Sequence, residues 1–131
     1  MTRDAAARAS EMILTRKEDL AREITEALYA GQPELLERFG ETGRAKCLQD
    51  MRYNLEHLAP AVGLEDPSLF GRYVRWLADM LRARGIPGDD VRHSLELTRE
   101  VVAARLPADE ASCITTALGA GLAALSQSEA R

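Results

Sequence analysis

A row of chemically competent side chains stands out between positions 44 and 57. In Arg44-Ala-Lys-Cys47-Leu-Gln-Asp50-Met-Arg-Tyr53-Asn54-Leu-Glu-His57, the residues Cys47, Asp50, Asn54 and His57 recur at intervals of three, four and three. On a helix turning about 100° per residue, this puts a thiol, a carboxylate, an amide and an imidazole in one stripe. Leu48, Met51, Leu55 and Leu58 form the adjoining apolar face. Such a border suits the lining of a site for a flat, apolar ligand with polar edges. It equally suits a plain amphipathic helix with a polar margin.

Enzymatic chemistry is poorly served by the same residues. A cysteine nucleophile needs a base within hydrogen-bond reach. His57 lies about 15 Å along the helix from Cys47, at 1.5 Å per residue, and His93 would reach it only through the fold. No zinc-spaced cysteine and histidine set, phosphate loop or carboxylate dyad is recognisable. Haem needs only a proximal histidine, but His93 sits amid charge and His57 reads as an ordinary polar residue. Haem is therefore the weaker assignment. Phe70, Tyr73 and Trp76 follow at helical spacing; they would either pack as core or stack on a ligand.

The spacing Cys47-x-x-Asp50-x-x-Tyr53-x-Leu55, followed by Leu64-Glu65-Asp66 and Leu69, resembles the chromophore segment of the phycobiliproteins. The resemblance covers roughly residues 44 to 82. It implies a globin-like, all-α fold and a linear tetrapyrrole (bilin) as cofactor. Cys47 would be the attachment thiol, forming a thioether to ring A. Asp50 would accept hydrogen bonds from the central pyrrole N–H groups, a charge-assisted contact. Tyr53 would stand in the pocket wall. Asn54, His57, Tyr73 and Trp76 would complete the surroundings. The family's propionate-binding arginine is replaced by Gln49, so that contact would fall to Arg44, Lys46 or Arg52. Asn54, Glu56 and Glu65 depart from the family's tyrosine, arginine and glycine. With 46 residues before Cys47, the protruding helical pair of that family is expected to be absent or much shortened.

Glycine and proline punctuate the elements that must position these side chains. The spacing predicts helices over 2–30, 33–39, 42–59, 67–84, 88–106 and 107–127, with no strand of four or more residues. Gly31, Gly40, Gly63 and Gly85 are the stops; Asp66 is an N-cap, with Pro67 at the first helical position. The alternating charges at Arg16-Lys17-Glu18-Asp19 predict a solvated face with i,i+4 pairs. The last two helices are expected as an antiparallel pair against the first, third and fourth. Ala111 to Leu125 has no charged residue and many small ones, as in a central core helix or one that also forms a subunit interface. Residues 126–131 read as a frayed tail.

Composition sets the outer bounds. The 131 residues suit a single domain, and 46% hydrophobic with 29% charged residues is ordinary for a globular chain. A net charge of -4 argues against nucleic acid and against anionic lipid surfaces. The longest apolar run is about half a membrane span, and no signal peptide is recognisable. Two distant cysteines give no disulfide framework. The expectation is a non-enzymatic cytoplasmic module that binds a bilin and forms a homodimer or pairs with a related subunit. The alternative is a chromophore-free sensory or interaction domain that dimerises through its apolar helix. The first reading requires an open cleft beside Cys47 and Asp50; the second predicts that space filled by Trp76, Phe70 or leucine side chains.

Overall fold

A computed structural model describes residues 2–129, and every element within them is a helix. In chain order these are α1 (Thr2–Thr15), α2 (Lys17–Gly31), α3 (Glu34–Gly63), α4 (Pro67–Ala83), α5 (Gly88–Arg105) and α6 (Ala108–Glu129). Of the tail predicted to fray, 126–129 continue α6; 130 and 131 lie outside the described residues.

The first predicted helix is in fact two. Thr15 donates its hydroxyl back to the carbonyls of Glu11 (3.0 Å) and Met12 (3.4 Å), a back-bonding that bends helices. Arg16 then leaves helical geometry at φ -105 and ψ 11. The ladder bends without dissolving: the Arg16 and Leu20 amides still bond Met12 and Arg16 carbonyls at 2.9 Å. Ala5, Ala6, Ala9 and Ile13 of α1, with Leu20, Ala21 and Ile24 of α2, enter the core.

The second and third predicted helices are separate as expected: the α3 span holds two helices that meet at Gly40, whose φ of 68 and ψ of -170 break the helical geometry and are cheap only for glycine. The predicted stop before Pro60 is overrun to Gly63. Pro60 forfeits one backbone donor, while Ala61 and Val62 beyond it are buried in the core. At the start of α4, Asp66 caps as expected, accepting from the Ser68 amide at 3.2 Å.

The most extensive contact is between α4 and α6. Glycine makes it close: a Cβ on Gly121 would stand 2.8 Å from the Phe70 ring, and one on Gly71 would stand 3.3 Å from the Ala120 carbonyl oxygen. α6 also packs on α5, α1 and α3, which makes it the central helix. α5 pairs with α6 and leans on α2, the second half of the first predicted helix, with only a small contact to α4. Arg105 of α5 closes that side with a forked pair to Glu23 of α2, at 2.6 and 2.9 Å to one carboxylate oxygen. The charges after the bend are only partly a self-paired face: Asp19 pairs with Arg22 of the same helix at 3.8 Å, while Lys17 meets Glu56 at 2.8 Å and Glu18 meets Arg52 at 2.6 Å, tying α2 to α3.

Candidate functional site

Beyond the Gly40 kink, α3 turns one edge toward a cleft of about 250 Å³. Leu28 and Tyr29 of α2 form one wall, and Leu35 and Phe39 of the short leg before Gly40 another. Leu77, Leu81 and Arg84 from the end of α4, with Ile86, Asp90, Val91 and Ser94 around the start of α5, complete it. From α3 itself come Lys46, Cys47, Asp50, Met51 and Asn54. The buried side chains of Met51, Leu77, Leu81 and Val91 make the lining predominantly apolar.

Three of the four residues in the predicted row therefore meet in one cleft: Cys47, Asp50 and Asn54. His57 does not. α4 crosses α3 at its level, and the Tyr73 ring stacks on the imidazole with centroids 4.1 Å apart and planes at 10°. The His57 Nδ1 stands 2.9 Å from the Tyr53 carbonyl oxygen. Tyr73 is thus packing between helices, with its hydroxyl donating to Asn54 Oδ1 at 2.5 Å. Tyr53 is not in the pocket wall; it lies further around α3, 46% exposed, and its hydroxyl accepts from Gln49 Nε2 at 3.2 Å. Trp76 is 58% exposed on the outer side of α4, its ring 6.0 Å from Tyr73, so it is neither core nor cleft wall. Phe70 is buried against α6. Neither of these two aromatic rings occupies the cleft. His93 is half-buried rather than exposed, and outside the lining.

The cations are redistributed too. Arg44 sits over the Tyr29 ring at 5.5 Å, in a neighbouring hollow with Glu26 and Leu36. Arg52 is engaged by Glu18. Of the three candidates, Lys46 alone lines the cleft, and Arg84 joins it from α4. Tyr29 and Arg84 have no signal in the helical spacing of the 44–57 segment, because other elements deliver them. The Arg84-Gly85 step before Ile86-Pro87 was the available hint, since it marks where α4 ends.

Burial governs the ionisable groups. It pushes the Cys47 thiol up from 9.0 to about 11; a hydrogen bond with the Thr25 hydroxyl and the Arg44 charge oppose this, and Asp50 adds to it. Burial also raises Asp50, against the pull of Lys46 and Arg84. Tyr73 is raised by burial, with Asp50 and Glu56 adding to the shift. Asn54 is 5% exposed. Its oxygen is committed to Tyr73, which leaves its N–H groups only a 3.9 Å contact with the Met51 sulfur.

These features fit the polar edge of a tetrapyrrole: a thiol, a carboxylate three residues on and an amide donor, all beside apolar walls. The volume lies below the roughly 300–1,000 Å³ of sites that enclose a drug-sized ligand. A long ligand would be held by one portion and left partly open. Among the described residues no three His, Cys, Asp or Glu side chains group to hold a metal ion. A family model described as phycobilisome protein matches residues 1–125 of the chain. No curated protein matches it.

Proposed function

The chain belongs to the phycobilisome protein family, and we propose that it is a non-enzymatic module that holds a linear tetrapyrrole through Cys47 and Asp50. The family's globin-like, all-α fold agrees with the six helices. The observation that carries the proposal is the cleft, which is open beside Cys47 and Asp50 and free of Trp76 and Phe70.

In this reading Cys47 supplies the thiol for a thioether. Asp50 accepts the pyrrole N–H groups, and that contact relieves a carboxylate that burial otherwise disfavours. Asn54 offers its N–H to a ligand acceptor, oriented by Tyr73. The bound pigment supplies visible-light absorption; the protein supplies its fixed geometry. The proposal takes the chain as a single domain in the cytoplasm, where the thiol stays reduced. No helix among the described residues is long and apolar enough to cross a membrane.

Phycobiliproteins assemble into oligomers with partner subunits. The exposed Tyr53, and the exposed Trp76 whose ring stands 6.0 Å from Tyr73, favour a second reading. That reading is a chromophore-free interaction module using this aromatic surface against a second copy or a related subunit.

Co-expression with a bilin-synthesis pathway separates the two, read by zinc-enhanced fluorescence on a denaturing gel. The wild type should carry pigment and Cys47→Ala should not. Asp50→Ala should keep the pigment on the gel but show weaker visible absorption in the native state. Pigment retained in Cys47→Ala, or an unchanged spectrum in Asp50→Ala, defeats the proposal. A wild type without pigment favours the interaction module.

A further inference from the structure

We propose that Asn54 is the specificity-determining donor of the cleft: with Asp50 one turn away, it reads an N–H and a C=O paired on one ligand edge, as a lactam ring presents them. This deepens the tetrapyrrole reading and rests on it, since the end rings of a linear tetrapyrrole are lactams. Asn54 stands where the family pattern has a tyrosine, so the donor is this chain's own.

The amide is fixed at one end and idle at the other. Asn54 is 5% exposed and lines the cleft. Its Oδ1 accepts from the Tyr73 hydroxyl at 2.5 Å, while among the described residues Nδ2 meets only the Met51 sulfur, at 3.9 Å. Met51 is itself part of the cleft lining. Turning the amide over would aim Oδ1 at a thioether, which has no proton to give, so the donor end keeps the cleft side.

Tyr73 makes this orientation stiff. Its ring stacks on His57 with centroids 4.1 Å apart and leans on Phe70 at 5.8 Å. Burial raises its phenol, which therefore stays a donor at neutral pH. Tyr73, Leu77 and Leu81 recur every four residues along α4 and all are buried; the two leucines line the cleft and Tyr73 closes the row. Tyr73 is accordingly a positioning residue, setting the amide that meets the ligand.

Asp50 and Asn54 are four residues apart on α3, about 6 Å along its axis. The carboxylate can only accept, and the free end of the amide can only donate. One ligand satisfies both by turning an N–H to Asp50 and a carbonyl oxygen to Asn54, its apolar body meeting Met51, Leu77 and Leu81. A ligand edge bearing N–H alone leaves the buried amide unpaired, and a site built to hydrogen-bond rejects such an analogue.

The test uses a dipyrrinone, the lactam-ended half of a linear tetrapyrrole, which suits a cleft of about 250 Å³. Its comparison is the thiolactam, which keeps every N–H but replaces the carbonyl oxygen with sulfur, a weak acceptor. Titrated against the apo protein, the lactam should bind tighter by about three- to tenfold, with its C=O stretch moved to lower frequency. In Asn54→Leu the preference should vanish and the stretch return to its free value. Tyr73→Phe should weaken the preference, because the amide is no longer held. Each preference is a ratio within one variant, so a loss of folded protein cancels. Equal binding of the two compounds by the wild type, a preference kept in Asn54→Leu or undiminished in Tyr73→Phe, or failure of both compounds to bind overturns the inference. The tetrapyrrole reading stands or falls separately, on pigment attachment at Cys47 read by the denaturing gel.

Discussion

Cys47 should be a slow thiol, and the structure indicates how slow. Only the thiolate attacks an electrophile. With the thiol pushed from 9.0 to about 11, the thiolate at pH 7.5 falls from about one molecule in 30 to about one in 3,000. A more basic thiolate is also the better nucleophile. A Brønsted slope of about 0.4–0.5 recovers some six- to tenfold of that hundredfold loss. The net expectation is alkylation by iodoacetamide roughly ten times slower than a free-thiol control, in a Cys113→Ser background so that one thiol is read. The rate should climb about tenfold per pH unit and show no plateau before pH 10. Thr25→Val removes the hydroxyl that eases the thiol's ionisation and should slow it further. Asp50→Asn removes a charge that opposes ionisation and should speed it. A rate equal to the control at pH 7.5, or a plateau below pH 9, would refute the reasoning. The consequence for function is direct: bilin attachment at neutral pH would be slow without a lyase or another source of base, and faster in alkali.

Two further outcomes follow from the same structure. Burial raises the Asp50 carboxyl, so the folded state binds its proton more tightly than the unfolded state does. Asp50→Asn should then raise the apo melting temperature at pH 7, and the gap should shrink as pH falls through the raised pKa toward the unfolded value of about 3.9; a lower melting temperature at pH 7 would sink this. At the α4–α6 crossing, Gly121→Ala forces a Cβ to 2.8 Å from the Phe70 ring and 2.9 Å from Val74 Cγ2, which should cost about 1–3 kcal/mol. Gly119→Ala meets nothing within 4 Å and should gain up to about 1 kcal/mol from helix propensity; urea melts that fail to give opposite signs would contradict the packing described.

Much of the architecture was legible because helix ends are written locally. Asp66-Pro67, Gly40 and Gly85 do their work through their own backbone and nearest neighbours, and all three stand where the sequence suggests a boundary. The features that were not legible depend on distant partners or on a single hydroxyl. No rule of spacing marks Thr15 as the residue that bends α1 away from α2. Pro60 and Gly63 are rival local signals for the end of α3, and the gain from burying Ala61 and Val62 decides for Gly63. Lys17 and Glu18 look self-paired in the chain and are drawn instead to α3, which the fold brings alongside.

The cleft divides along the same line. Cys47, Asp50 and Asn54 share an edge because angular position on a helix is a local property. Their row ends at His57 because another helix lies there, and Tyr73 fills the remaining space. Arg84 and Tyr29 arrive from α4 and α2, out of reach of any pattern within α3. What results is costly as pure scaffold: a half-buried carboxylate and a buried amide with poorly used donors. A fold selected for stability alone would do better with apolar residues at Asp50 and Asn54. One ligand bearing N–H donors and an acceptor would satisfy both of these groups together. That shared complementarity, more than any one residue, is what supports the proposed tetrapyrrole over a plain apolar guest.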